Sequence, residues 1–189
     1  MSIWSPVRQG HMGSSSAAVI GEATTVKMVD AKDKSAPTPS KHFADSAEVE
    51  KIMYIQQPHD MYSACFGGLM ASRLKKIGAA GVVIDGRFRD IKEIQGIGLP
   101  LFARGNSILG SNTFTRASQL NVPVHFRGDL WINPGDIIVG DQDGVVVVPP
   151  SLVDQVAQLC AERKEIDEKT MKDLEDGFEI GPTIQKHRR

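Results

Sequence analysis

The stretch Gly67-Gly68-Leu69-Met70-Ala71-Ser72-Arg73-Leu74-Lys75-Lys76-Ile77-Gly78 runs on into Ala79-Ala80-Gly81-Val82-Val83-Ile84-Asp85-Gly86-Arg87-Phe88-Arg89-Asp90. Leu69, Met70, Leu74 and Ile77 recur at helical spacing, with Arg73, Lys75 and Lys76 between them. Gly67-Gly68 precedes that helix, and Gly78 suits the left-handed residue that ends one. Gly81-Val82-Val83-Ile84 is a short continuous apolar run of the buried-strand kind, and Asp85-Gly86 predicts its end. Arg87, Arg89 and Asp90 therefore fall just beyond the carboxyl end of a buried strand, where open α/β sheets bind ligands.

Outward from this block, Ala17 to Val29 reads as a strand from its β-branched content, and residues 30–46 as a polar connection with Pro37 and Pro39. Val49 to Ile55, Pro100 to Ala103 and Val122 to Phe126 read as further strands. Leu130-Trp131-Ile132, Ile137-Ile138-Val139 and Val145–Val148 are separated by Asn133-Pro134-Gly135-Asp136 and Gly140-Asp141-Gln142-Asp143-Gly144, which predicts a β-meander. Ser151 is an N-cap candidate for a helix with Leu152, Val156, Leu159 and Cys160 on one face, running toward Leu174. The expected organisation is an irregular lead over 1–16, one α/β domain over 17–160, and a charged helix and tail over 161–189.

The 189 residues suffice for one core of ordinary composition, 41% hydrophobic and 24% charged. A formal net charge of −1 gives no global pull toward nucleic acid or an anionic membrane, and no apolar run is long enough to span a bilayer. The ending Lys186-His187-Arg188-Arg189 reads as a solvated tail. Cys65 and Cys160 have no C-x-x-C spacing and read as two buried thiols, and no secretory signal opens the chain, so a cytoplasmic protein is expected.

Chemistry concentrates at the central block. A helix start offers unpaired N–H groups and the positive end of the dipole, and two glycines let a small anion approach. Arg89 can grip a carboxylate with a planar fork, and Asp90 can hold a hard divalent cation through oxygen. On spacing alone the plainer readings stay open: a loop Arg-Asp pair is ordinarily a surface pair, and Gly-Gly before a helix ordinarily a turn.

The segment Gly67 to Ala71 through Gly81 to Asp90 resembles the core motif of the RraA-like family: a glycine, a gap filled here by residues 69–88, then Arg-Asp, with a further acid at Glu93. Val19 to Val26, Pro134-Gly135-Asp136 and Asp141 to Val145 are similar to the family's early strand and late hairpin. That family includes 4-hydroxy-4-methyl-2-oxoglutarate aldolases that also decarboxylate oxaloacetate, and a non-catalytic regulator of RNA degradation. The resemblance implies a swivelling β/β/α sandwich. It implies a class II, metal-dependent lyase that cleaves or decarboxylates a 2-oxo dicarboxylate to pyruvate through a metal-stabilised enolate. Backbone N–H groups of Gly67, Gly68, Leu69 and Met70 would bind the pyruvyl carboxylate together with Arg89, and Asp90 would ligate Mg²⁺ or Mn²⁺. A homotrimer or hexamer is also implied.

Two features depart from the family pattern. Residues 1–16 do not resemble its acidic N-terminal helix, and Gly68 stands where many bacterial members carry Glu in a Gly-Glu-Leu-Leu run. These motivate an alternative, a non-catalytic protein-interaction regulator on the same fold. A phosphohistidine-type swivelling domain is a third option, disfavoured because no histidine lies in a suitable loop. His59 and His125 read as structural or exposed, and Asp85 as a turn residue or a support for Arg89. Arg104, Asn106 and Arg116 read as surface or subunit contacts, Asp141 and Asp143 as turn residues and not a calcium loop, and Trp131 as core or interface.

Overall fold

The computed structural model describes residues 5–6 and 18–188, the side chains of Ser5, Pro6 and Arg127 excepted. The chain divides into two compact units, residues 1–148 and 149–189.

In the first unit, strands β1 (Ser5–Pro6), β2 (Val19–Asp30), β3 (Ile52–Gln56), β4 (Gly81–Phe88) and β5 (Leu101–Asn106) share a sheet in the order β1-β5-β4-β3-β2, followed by β9 (Ile137–Gly140) and β10 (Val145–Val148). Strands β2 to β5 are mutually parallel. Helix α1 (Gly68–Ile77) links β3 to β4 and α2 (Ile91–Ile97) links β4 to β5. Successive strand residues face opposite sides, and both sides here are apolar. Met53, Ile55, Val82, Ile84, Leu101 and Ala103 pack with Ala71, Leu74 and Ile94 of the helices. Ile52, Tyr54, Val83 and Phe102 pack with Val124, Ile132 and Ile138 of the later strands. The result is a β/β/α layering with the parallel strands in the middle.

The long β2 joins the layers. Val19–Glu22 pairs with β9, Ala23–Lys27 with β3, and Val26–Asp30 with β6 (Thr115–Leu120), a strand with no clear sequence signal. The 3-10 turn Phe43–Ser46 is also new: His42 caps it, and Phe43 and Ala44 are buried within the stretch read as a polar connection.

Several expectations are corrected. The irregular lead lies outside the described residues except for Ser5–Pro6, which pairs with Ala103 and Phe102. The β-meander is two hairpins. Strand β7 (Val124–Arg127) pairs with β8 (Leu130–Ile132) and β9 with β10, because the other edge of β9 is taken by β2. Strand β4 does not stop at Asp85-Gly86 but runs on to Phe88. Leu69 lies outside the core at 81% exposure; Leu74 and Ala71 form the buried face of α1. Gly78 ends α1 as expected, with φ 94°.

In the second unit, Pro150–Leu152 forms a 3-10 turn and α3 (Val153–Glu175) follows, so Ser151 caps nothing. The boundary expected at residue 160 falls inside this continuous helix. Cys160 is exposed, not buried. The expected basic tail is helix α4 (Ile180–His187), clasped to α3 by Lys186 and His187 on Asp173 and by Arg188 on Asp167. Asp173 is held below the usual carboxylate range, first by its bond from Lys186 and then by that from His187. No helix among the described residues is long and apolar enough to cross a membrane.

Candidate active site

The loops after β3, β4 and β5 meet at the carboxyl end of the parallel strands. The segment before α1 is zipped to the end of β4: the Cys65 N–H donates to the Arg87 carbonyl at 2.9 Å and the Arg89 N–H to the Phe66 carbonyl at 3.0 Å. The loop after β5 joins them, with the Ser107 N–H donating to the Phe88 carbonyl at 2.9 Å and the Ala64 N–H to the Leu109 carbonyl at 2.8 Å. These bonds place Gly67-Gly68 directly against Arg89-Asp90.

The Gly68 N–H donates to Asp90 Oδ2 at 3.0 Å. Arg89 Nε lies 3.5 Å from the same oxygen, with the arginine side chain half-exposed and the aspartate side chain 33% exposed. Asp90 sits before α2 in the left-handed region, φ 64°, yet its side chain caps no N–H of that helix. Its carboxylate turns to the positive end of α1 instead. A residue held in a sparsely populated conformation to aim a carboxylate is strain of the kind found at functional sites. A Cβ on Gly67 would lie 2.6 Å from Asp90 Oδ2, so the bare glycine lets that carboxylate approach; one on Gly68 would lie 2.2 Å from the carboxyl carbon of Glu93, an exposed side chain free to swing aside. A Cβ on Gly110 would lie 3.7 Å from Arg89 Nη1, which brings the third loop to the same place.

Gly67, Gly68, Arg89, Asp90 and Glu93 thus come together as their spacing predicts. One detail differs: the Gly68 N–H is already engaged by Asp90, which leaves the first-turn N–H groups of Leu69 and Met70 as the donors outside helical bonding. Among the described residues no cluster of three or more His, Cys, Asp or Glu could hold a metal ion. The donor that the site offers is carboxylate oxygen from Asp90, its side chain 33% exposed. That suits Mg²⁺ or Mn²⁺, which keep several waters and take one or two carboxylates, and does not suit zinc.

Other candidates fall away. His125 Nε2 is 2.7 Å from the Gly128 carbonyl, and its ring meets Trp131 edge-on at 5.3 Å. Trp131 itself is 56% exposed, outside the core. Arg116 donates to the carbonyls of Asp33, Ala36 and Pro37, stapling that connection. Asp141 accepts the N–H groups of Asp143 and Gly144, an ordinary turn. Cys65 is fully buried and its thiol is pushed up to about 12 by burial, so it is no nucleophile. Asp85 is not in a turn and Arg104 is not a surface contact: the two form a buried ion pair between β4 and β5. Gln57, unremarked in the sequence, is 1% exposed and accepts the Arg87 N–H at 3.0 Å.

A helix start, a guanidinium and a carboxylate converge beyond the carboxyl ends of parallel strands, the place where open α/β sheets bind ligands. Residues 5–147 match the family model described as RraA-like, Aldolase/RraA. The chain is 33% identical over 167 residues to a Halalkalibacterium halodurans protein named as a candidate 4-hydroxy-4-methyl-2-oxoglutarate aldolase, covering 84% of this chain and 72% of that protein. An uncharacterised Pseudomonas syringae pv. tomato structure superposes with TM-score 0.77 at 23% identity, covering 95% and 82% of the two chains. Streptomyces coelicolor RraAS2, described as an unusual member of the RNase ES inhibitor RraA family, superposes with TM-score 0.72 at 24% identity, covering 88% and 80%. This chain belongs to the RraA-like family.

Proposed function

We propose that this chain is a divalent-metal-dependent lyase that cleaves or decarboxylates a 2-oxo dicarboxylate, oxaloacetate or 4-hydroxy-4-methyl-2-oxoglutarate, to release pyruvate. The observation that carries the reading is the 3.0 Å bond from the Gly68 N–H to Asp90, which holds helix start, acid and guanidinium in one place. The name of the Halalkalibacterium relative supports the reaction class. Arg89, half-exposed, receives the substrate carboxylate with its fork, and the N–H groups of Leu69 and Met70 add donors at the positive end of α1. Asp90 would hold Mg²⁺ or Mn²⁺ through its carboxylate oxygen. A cation there would supply Lewis-acid polarisation of the 2-oxo group and compensation for charge developing at the C–C bond. Exposed Leu69 in the first turn of α1 and exposed Tyr62, Ile108 and Leu109 on the surrounding loops fit self-association, here a homotrimer or paired trimers, in which another copy covers the site.

The test is pyruvate release from both substrates with Mg²⁺ or Mn²⁺, with and without chelator, and with Asp90→Ala. Turnover abolished by chelator and by the substitution is expected. Turnover indifferent to both overturns the metal assignment. No turnover with either substrate, together with a stable protein partner, points to the regulator instead.

A further inference from the structure

Strand β4 departs from regular pairing just before the site. Ile84 faces Ala103 and Arg87 faces Gly105, so Asp85 and Gly86 together stand opposite Arg104. That is a β-bulge, a feature that bends a strand, re-aims the side chains beyond it and recurs beside active sites. It is held from both sides. Arg104 Nε donates to Asp85 Oδ1, and the Asp85 side chain has no exposure at all. On the β3 side, Gln57 Oε1 accepts the Arg87 N–H at 3.0 Å while Gln57 Nε2 donates to the Ser63 carbonyl at 2.8 Å. Gly86 lies so close that a Cβ there would be 2.3 Å from Gln57 Oε1.

Asp85 Oδ2 and Arg104 Nη2 are buried and have no hydrogen-bond partner among the described residues. Tyr54 of β3 stands near the pair, its phenol pushed up first by burial and then by the Asp85 charge. Asp85 is fully withdrawn from water and Arg104 largely so. A desolvated pair of this kind is a poor source of stability, since apolar residues of similar volume serve as well, but it does fix geometry between two chain segments. What it fixes here leads directly to the site. Residues 87–89 are bonded to Cys65 and Phe66, which run straight into Gly67. A slip at Asp85-Gly86 would therefore move Asp90 relative to Gly67, where a single added carbon would already lie 2.6 Å from its carboxylate.

We propose that the Asp85–Arg104 pair is a positioning device, locking the β4 bulge so that Asp90 meets the Gly68 N–H. Its chemical purpose rests on the lyase reading; its geometric effect does not. Amide exchange in the full chain measures that effect, with the Ala71 N–H, bonded to Gly67 within α1, as internal reference. In Asp85→Asn the Gly68 amide should exchange about tenfold faster relative to Ala71, the loss of one well-aligned hydrogen bond. Ile138→Val, a buried change remote from the bulge in sequence, should change both amides by one common factor. If Asp85→Asn does not fold, Arg104→Lys, at a side chain 24% exposed, replaces it: charge is kept, the fork is lost, and the same selective acceleration is expected. Equal change at Gly68 and Ala71 in the variant that folds overturns the proposal. Mn²⁺ affinity, measured in parallel, should fall with the Gly68 protection. If the unaltered chain binds no Mn²⁺, the lyase reading fails while the amide comparison still decides the positioning role.

Discussion

Asp90→Asn separates folding from chemistry at this site. Asparagine tolerates the left-handed backbone as aspartate does, so the φ of 64° adds no new strain. The amide oxygen is isosteric with the carboxylate oxygen and still accepts the Gly68 N–H now at 3.0 Å. What folding loses is a negative charge at the start of α1, worth about 0.3–1 kcal/mol and reduced further because the side chain is 33% exposed. For a chain of this size that lowers Tm by no more than about 2–4 °C. The chemistry loses the charged ligand of the cation, and a fall in turnover of roughly 100-fold or more is expected, the scale of removing one group that stabilises developing charge. Thermal melts and a coupled pyruvate assay over a Mn²⁺ titration measure the two effects. Activity within about threefold of the unaltered chain, with the metal requirement intact, would refute the assignment of Asp90. A melt lowered by more than about 10 °C, well beyond the helix-charge effect, would contradict the view that its role in folding is small.

The geometry sets four further outcomes. Gly86→Ala places a carbon 2.6 Å from the Cβ of buried Gln57, which cannot swing away, and should cost about 1–3 kcal/mol in denaturant unfolding. At mildly alkaline pH iodoacetamide should label exposed Cys160 and spare Cys65 until the chain unfolds, as mass spectrometry would show. The lowered Asp173 stabilises the second unit only when ionised. The α3–α4 clasp is therefore fully present above the ordinary carboxylate range and should weaken, seen as faster amide exchange in α4, as pH falls through that range and below it. Leu69→Ser, at a side chain 81% exposed, should leave the protomer's fold intact within about 0.5 kcal/mol and weaken self-association in sedimentation if another copy covers the site.

The sequence made α1, its glycine cap and the core of β4 legible because local patterns report local structure: helical spacing, a left-handed glycine, an unbroken apolar run. It also made legible that Gly67-Gly68 would come close to Arg89-Asp90, because the helix start and the end of the following parallel strand lie at the same edge of the sheet. Elements defined by partners were not legible. Strand β6, Thr-Arg-Ala-Ser-Gln-Leu, carries little apolar signal and exists because β2 offers it an edge. The hairpins were visible as turns, but their pairing depended on β2 competing for β9. Leu69 and Cys160 sit at apolar positions on helix faces that the tertiary structure leaves open.

By itself the amino-acid order determined which residues are candidates for chemistry: two glycines at a helix start, a guanidinium and an acid at fixed spacing. Only the tertiary structure decided how they are held. It turned Asp85 from a turn residue into half of a buried ion pair, recruited Gln57 and Arg104 from neighbouring strands, and swung the Asp90 carboxylate onto the Gly68 N–H. The physical reason is that a bulge and a buried charge pair are agreements between strands distant in sequence, and no local pattern encodes a partner's position.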